Sequence, residues 1–135
     1  MKKNLLRVVD VNFNRSKEGL RVIEDIFRFV FEDNSSRRKV RTLRHALDAI
    51  AQDRLLKEAI LNRDSNRDIG KKIDNLETKR SDAKDILYIN FQRVKESLRV
   101  LEEFFKILLP NRVSEIKKLR YKVYTLEKDT RKKYK

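Results

Sequence analysis

The stretch Asn12-Phe13-Asn14-Arg15-Ser16-Lys17-Glu18-Gly19-Leu20-Arg21-Val22-Ile23-Glu24-Asp25-Ile26-Phe27-Arg28-Phe29-Val30 returns 78 positions later as Asn90 to Leu108, with ten of nineteen positions identical. The identities are Asn12/Asn90, Phe13/Phe91, Arg15/Arg93, Lys17/Lys95, Glu18/Glu96, Leu20/Leu98, Arg21/Arg99, Val22/Val100, Glu24/Glu102 and Phe27/Phe105. Two unrelated amphipathic helices would share an apolar period, not the identity of amide, guanidinium and carboxylate side chains. A weaker echo follows at a spacing of 76, where Val40-Arg41-Thr42-Leu43-Arg44-His45 lines up with Ile116-Lys117-Lys118-Leu119-Arg120-Tyr121. The repeated unit therefore reads as a helical hairpin used twice.

Two glycines and one proline in 135 residues argue against a sheet-rich fold with many tight turns and against a glycine-rich phosphate loop. The expected fold class is all-α, a four-helix bundle built from two repeated helical hairpins with pseudo-twofold symmetry. The chain is one domain's worth, with repeat one at about 8–61, a loop at 62–80 and repeat two at about 81–130. Helix one is expected from Asp10 to Phe31, with Ser35 and Ser36 as caps for helix two, which carries Val40, Leu43, Leu47 and Ile50 and restarts from Arg54 to Leu61. Ser81 or Asp82 should cap helix three, Pro110 should stop it near Leu109, and Ser114 should cap a helix four carrying Ile116, Leu119, Val123 and Leu126. The basic tail Lys128 to Lys135 reads as a solvated or frayed end.

With no cysteine, disulfides, thiolate zinc sites and cysteine nucleophiles are excluded. No apolar run approaches a membrane span and the first residues lack a signal-peptide pattern, so the protein reads as cytoplasmic and no membrane partner is expected. A net charge of +14 with 41% charged residues fits a phosphorylated ligand, a nucleic acid or a bland basic surface. No aromatic-interleaved basic stripe is present, and nucleic acid is not expected as a partner.

Function enters through polar residues on apolar helix faces. Eighteen residues make five helical turns, which places Asn12 in line with Val30 and Asn90 in line with Leu108, on the core face. By the same periodicity Arg15 falls between Val22 and Ile26, and Arg93 between Val100 and Phe104, while Glu18 and Glu96 lie at the edge of that face near Phe29 and Ile107. A buried arginine needs compensation, either from Glu18 or Glu96 in a structural network or from an anionic ligand. The polar positions cluster at the N-terminal ends of helices one and three, which predicts a polar pocket at one end of the bundle and a dry core at the other. Arg21 and Arg28 are expected on the opposite face, solvated or paired with Asp25. The loop contributes Arg63, Asp64, Arg67, Asp68, Gly70, Lys71 and Lys72: acids suited to Mg²⁺ and bases suited to phosphate, or simply a solvated charged segment. The single histidine, His45, faces away from the apolar stripe and reads as an exposed bystander. A di-iron bundle is set aside, because it needs Glu-x-x-His on two helices.

The strings Arg7-Val8-Val9-Asp10-Val11-Asn12-Phe13-Asn14-Arg15, Glu18-Gly19-Leu20-Arg21-Val22-Ile23-Glu24-Asp25, Arg28-Phe29, Leu43-Arg44-His45, Arg63-Asp64 and Asp68-Ile69-Gly70 resemble a known family. Asn90 with Arg93, Glu96-Ser97-Leu98-Arg99-Val100-Leu101-Glu102-Glu103 and Leu119-Arg120-Tyr121 extend the likeness over nearly the whole chain. Together they resemble the helical domain often fused ahead of thiamine-phosphate synthase, which is similar to a monofunctional hydroxymethylpyrimidine phosphate kinase. The resemblance implies thiamine biosynthesis, with ATP phosphorylating hydroxymethylpyrimidine phosphate to the diphosphate in the presence of Mg²⁺. It also implies a functional link to the synthase, whose eight-stranded barrel needs some 200 or more residues and has no room in this chain. Ser97 departs from the small Ala expected there.

On that reading Arg15 and Arg93 bind substrate phosphate and Asn12, Asn14 and Asn90 position the substrate. Arg44, Arg63, Arg67, Lys71 and Arg120 are further phosphate-binding candidates, and Asp64 and Asp68 are metal candidates. Glu18 and Glu96 are catalytic candidates, for Mg²⁺ or the pyrimidine amine, and Asp10, whose counterpart is Tyr88, is the candidate general base at the hydroxymethyl group. Two alternatives stand beside it: a domain that binds the pyrimidine phosphate without turnover, and a basic module that binds nucleic acid or protein through the exposed arginines. A homodimer is the expected assembly if the chain is not a monomer.

Overall fold

The computed structural model describes residues 1–72 and 78–135, and among these it is all helical. Helix α1 spans Lys2–Asp25 and runs into a π-helical turn, Ile26–Val30; α2 spans Asn34–Ile50, α3 Arg54–Ala59, α4 Ala83–Leu108 and α5 Val113–Lys133. Short 3-10 turns at Ile60–Asn62, Ser65–Arg67 and Pro110–Arg112 join them. Helix α1 begins well before the expected Asp10, because Leu6 and Val9 are already buried and continue the apolar stripe of Phe13, Leu20 and Ile23 at helical spacing.

Aspartates cap three of the α-helix starts. Asp82 caps α4, accepting from the Asp85 amide at 2.8 Å, and Asp53 caps α3 through the Leu55 amide at 3.0 Å. The expected caps Ser35, Ser36 and Ser114 are displaced. Asp33 caps α2, accepting from the Ser36 amide at 3.1 Å and the Ser36 hydroxyl at 2.7 Å. Ser114 lies inside the first turn of α5, which follows directly from the turn that Pro110 opens. Between α1 and α2, Glu32 has φ 51°, the left-handed region usually left to glycine, and the Asp33 amide reaches back to the Phe27 carbonyl at 2.7 Å.

Helix α1 packs along α4, each also packs on the helix that follows it, and α2 meets α5. Val9, Phe13, Leu20, Ile23, Phe27, Leu43, Leu47, Phe91, Leu98, Phe105, Ile116 and Val123 share one core cluster. Burial of these side chains contributes about 1.5–3 kcal/mol each. The basic tail is not frayed. Tyr134 stacks on Phe31 with centroids 4.3 Å apart, its hydroxyl donates to Asp33 at 2.7 Å, and Lys133 pairs with the same carboxylate at 2.8 Å.

The expected dry end is not uniformly dry either, since Phe29 is 66% and Val30 57% exposed. Phe29 shares the direction of the exposed Glu18, and the wider π turn shifts Val30 out of the phase set by the α-helix before it. The expected loop at 62–80 is ordered at its start, and its residues 73–77 lie outside the described residues. No described helix is long and apolar enough to cross a membrane.

Candidate functional site

Two contacts set the approach of α1 to α4. The Ser16 and Ser97 hydroxyls share a buried hydrogen bond at 2.6 Å. At Gly19 a Cβ would stand 2.6 Å from the Val94 Cγ2, so only a hydrogen allows the helices this close. Shifting each residue by 78 positions turns the first residue pair into the second, since Ser16 corresponds to Val94 and Ser97 to Gly19.

Above this crossing lies a cavity of about 710 Å³. Its walls are the repeat pairs Asn12/Asn90, Arg15/Arg93, Glu18/Glu96, Gly19/Ser97 and Val22/Val100, with Thr78 from the segment between the repeats. Both asparagines are held alike: the amide nitrogen of Asn12 donates to the Val8 carbonyl and that of Asn90 to the Ile86 carbonyl, each at 2.8 Å. The donor end of each amide is thereby fixed, and neither amide oxygen accepts a hydrogen bond from the described residues.

The structure decides the sequence question about Arg15 and Arg93. They are exposed on the cavity walls: of the two residues that seemed to place Arg15 on the core face, Ile26 is buried but Val22 is 36% exposed, so Arg15 stands at the border of that face. The burial cost argued from periodicity does not arise. Neither arginine pairs with Glu18, Glu96 or any other acid among the described residues. Glu96 accepts from Gln92 at 2.9 Å instead.

Arg15 and Glu18 also belong to an adjoining cavity of about 680 Å³, with Arg7, Asp10, Asn14, Arg63, Asp64 and Asp68. The two spaces therefore adjoin along α1, with Arg15 and Glu18 between them. Here Arg63 grips both oxygens of Asp10, at 2.7 and 2.8 Å, and this hydrogen bonding raises the Arg63 pKa, against a smaller opposing effect of burial. Asp10 holds the loop onto α1, and a carboxylate committed to a guanidinium through both oxygens is a poor base. Asp64 accepts from the Arg67 amide at 3.2 Å and Asp68 from the Gly70 amide at 2.9 Å. Both acids thus shape the loop, and among the described residues no set of three or more metal-binding side chains is assembled. Arg67 pairs with Asp64 at 3.6 Å and Lys71 donates to the Asn66 carbonyl at 3.0 Å; neither lines the cavity.

Arg44 and Arg120 stand elsewhere. Arg120 is 8% exposed, and its guanidinium is used by Glu102, in a very short contact at Nε and at 3.3 Å from Nη2, and by the Tyr124 hydroxyl at 2.8 Å. The bond to Glu102 raises the Arg120 pKa well above its ordinary value, against the opposing effect of burial. Arg44 holds Glu24 in the same way, at 3.2 Å. Glu24 and Glu102, each 3% exposed, were not singled out from sequence. The signal was present, since both acids and both arginines recur between the repeats. Lys17 and Lys95 follow suit, pairing with Asp48 at 2.8 Å and Glu127 at 2.7 Å on the next long helix of their hairpins. His45 is exposed, as expected.

The sequence profile of the ThiD2 family matches residues 7–129, and the chain belongs to that family. Over 124 residues it is 39% identical to a protein of Synechocystis sp. named thiamine-phosphate synthase, covering 91% of this chain and 35% of that one. Proteins of the same name from Gloeobacter violaceus and Rhodopirellula baltica are 37% and 33% identical, over 91% and 90% of this chain and 35% and 33% of theirs. The chain thus spans about a third of the length of these relatives. No solved structure matches it.

Proposed function

We propose that this member of the ThiD2 family serves thiamine biosynthesis by transferring a phosphoryl group from ATP to hydroxymethylpyrimidine phosphate, giving the diphosphate and ADP. The observation that carries this reading is the pair Arg15 and Arg93: one guanidinium from each repeat, without an acidic partner among the described residues, on the walls of one cavity beside two oriented asparagines. Phosphoryl transfer asks the protein to position its reactants and neutralise phosphate oxygens rather than to supply covalent chemistry.

Arg15 and Arg93 hold the substrate phosphate through bidentate contacts, and Asn12 and Asn90 direct their amide oxygens to the exocyclic amine of the pyrimidine. The acceptor is an oxygen of the existing phosphate, which is largely ionised near pH 7. It needs no general base, so the sequence expectation of Asp10 acting on a hydroxymethyl group is replaced by a structural role for Asp10. Glu18 has no hydrogen-bond partner among the described residues and lines both cavities. Glu18 would meet a Mg²⁺ carried by the nucleotide, an ion that neutralises phosphate charge and is commonly bound through one or two carboxylates plus the nucleotide itself, whereas Asp64 and Asp68 are used by the turns of their own loop.

We infer one composite site rather than two. The Ser16–Ser97 and Gly19–Val94 contacts exchange under the 78-residue shift, which is what a pseudo-twofold crossing of α1 and α4 requires. The second cavity lies only on the α1 side, because Arg63 ties the inter-repeat segment to Asp10, and the corresponding residue on α4 is Tyr88. The synthase name of the relatives attaches to proteins about three times as long, and a barrel has no counterpart among the described residues, which contain no strand.

Equilibrium binding of hydroxymethylpyrimidine phosphate tests the cavity assignment. Arg15→Ala and Arg93→Ala should each weaken binding by about 10- to 150-fold, the equivalent of 1.5–3 kcal/mol for a charge-assisted contact. Wild-type affinity in both variants would remove the cavity from the account.

A further inference from the structure

On the other side of α1 from the proposed catalytic cavity lies a concave site of about 660 Å³, walled by Arg21, Glu24, Arg28, Glu32, Asn34, Arg37, Arg41, Arg44 and His45. Its volume falls in the range of small-ligand sites. Glu24 at its floor is answered by Arg21 at 3.2 Å and Arg44 at 3.2 Å. The remaining arginines are not answered. Arg37 donates only to the neutral Asn34 oxygen, at 3.0 and 2.8 Å, Arg28 lies over the Phe29 ring at 4.8 Å, and Arg41 has no partner among the described residues. Glu32 is the one further acid on the wall.

The second repeat answers two of the corresponding cations with an acid, and has Val113 in place of Arg37. Arg99, the counterpart of Arg21, pairs with Glu103 at 3.1 Å, and Lys106, the counterpart of Arg28, pairs with Glu103 at 2.8 Å. Lys117 and Arg120, aligned with Arg41 and Arg44, lie over the Tyr121 ring at 5.8 and 5.2 Å, where repeat one has His45. Glu103 corresponds to Asp25, one methylene shorter and without an ion pair among the described residues. Arg28 also sits in the π-helical turn Ile26–Val30, whereas α4 stays α-helical to Leu108; π turns of this kind often mark functional sites.

We propose that this site binds a compact polyphosphate, a chain of two or more phosphate groups, either inorganic or borne by a nucleotide. Three guanidiniums without carboxylates present more donors than one phosphate can use, and planar guanidiniums match phosphate oxygens in pairs. The concavity and the small reach of the cluster favour a compact anion over a nucleic-acid strand. The site is separate from the cavity of Arg15 and Arg93, and the proposal does not depend on the reading of that cavity.

The test is calorimetric titration at about 150 mM salt, where nonspecific attraction is screened beyond about 8 Å. Phosphate, diphosphate, tripolyphosphate and ATP are titrated into the Arg15→Ala/Arg93→Ala protein, so that the first cavity contributes nothing. Tripolyphosphate should bind with 1:1 stoichiometry, and adding Arg28→Ala/Arg41→Ala should weaken it at least tenfold, while the equally charge-reduced Lys3→Ala/Lys57→Ala stays within twofold. ATP binding tighter than tripolyphosphate identifies a nucleotide as the source; equal affinities identify the phosphate chain alone. Loss to the same degree in both charge-reduced proteins, no saturable binding, or a single-stranded oligonucleotide that binds more tightly and displaces tripolyphosphate would overturn the proposal.

Discussion

Glu102 stays buried because Arg120 answers it and Tyr124 takes a remaining guanidinium donor. Removing one member of a buried pair leaves a desolvated charge, so Arg120→Leu should cost about 3–5 kcal/mol in urea unfolding, far more than loss of an exposed pair such as Arg54–Glu58, with both side chains at least half exposed. Equal costs for the two would show that the Glu102 pair carries no structural burden. Asp33 gives a pH-dependent counterpart. Burial pushes its carboxyl up, but Lys133, the Ser36 hydroxyl and amide, and Tyr134 outweigh this and hold it well below the usual carboxylate range. A depressed pKa stabilises the fold above the unfolded value of roughly 4 and loses that contribution as pH falls towards the folded value. Asp33→Asn should therefore lower stability at pH 7 and flatten the acid limb of the stability curve below about pH 4; an unchanged acid limb would contradict the clamp. The partner hydroxyl of Tyr134 is pushed up to about 12 by burial and by Asp33, so the clamp also weakens as pH rises from about 10 towards that value. Neither pair was legible in the sequence, because each joins residues about 20 or 100 positions apart whose proximity only the packed helices create. The repetition of Glu24 and Arg44 as Glu102 and Arg120 was the available hint.

Helix α1 shows where periodicity informs and where it misleads. The 78-residue repeat, the cap at Asp82, the stop at Pro110 and the apolar stripes of α2 and α5 were all readable from local chemistry. Asn12 was placed on the core face by lining it up with Val30, and Asn12 is indeed 2% exposed, yet Val30 is 57% exposed. The π turn between them breaks the five-turn arithmetic, and no composition cue announces it. A separate comparison, of Arg15 with Val22 and Ile26 and of Arg93 with Val100 and Phe104, placed both arginines inside; Val22 is exposed and Val100 and Phe104 only half-buried, so that line is the edge of the core face and both arginines stand on the cavity wall. At the crossing, Gly19→Ala would put a methyl 2.6 Å from Val94 Cγ2, and valine has little rotamer freedom with which to yield. Overpacking of this kind costs about 1–3 kcal/mol, and separation of α1 from α4 should also weaken binding of the pyrimidine phosphate. A Gly19→Ala protein with wild-type stability and affinity would show that the close approach does not shape the cavity.

Across the molecule, Asn12 and Arg15 of α1 and their sequence counterparts Asn90 and Arg93 of α4 line one cavity, and Arg63 of the inter-repeat segment is tied to Asp10 of α1. On the proposed reading, that tie to α1 is what leaves one composite site in a chain with two copies of the same polar set. Seven of the 35 lysines and arginines, Lys17, Arg44, Arg63, Lys95, Arg112, Arg120 and Lys133, each hold an acid on another element, so part of the positive charge has a structural use. A strongly positive net charge therefore does not by itself point to nucleic acid. The most direct measurement is to incubate the purified chain with hydroxymethylpyrimidine phosphate, ATP and Mg²⁺ and to follow the pyrimidine diphosphate and ADP by mass spectrometry. The account predicts stoichiometric formation of both, lost in folded Arg15→Ala and Arg93→Ala proteins; a wild-type chain that binds the pyrimidine phosphate but forms no diphosphate, or variants that turn over normally, would contradict it.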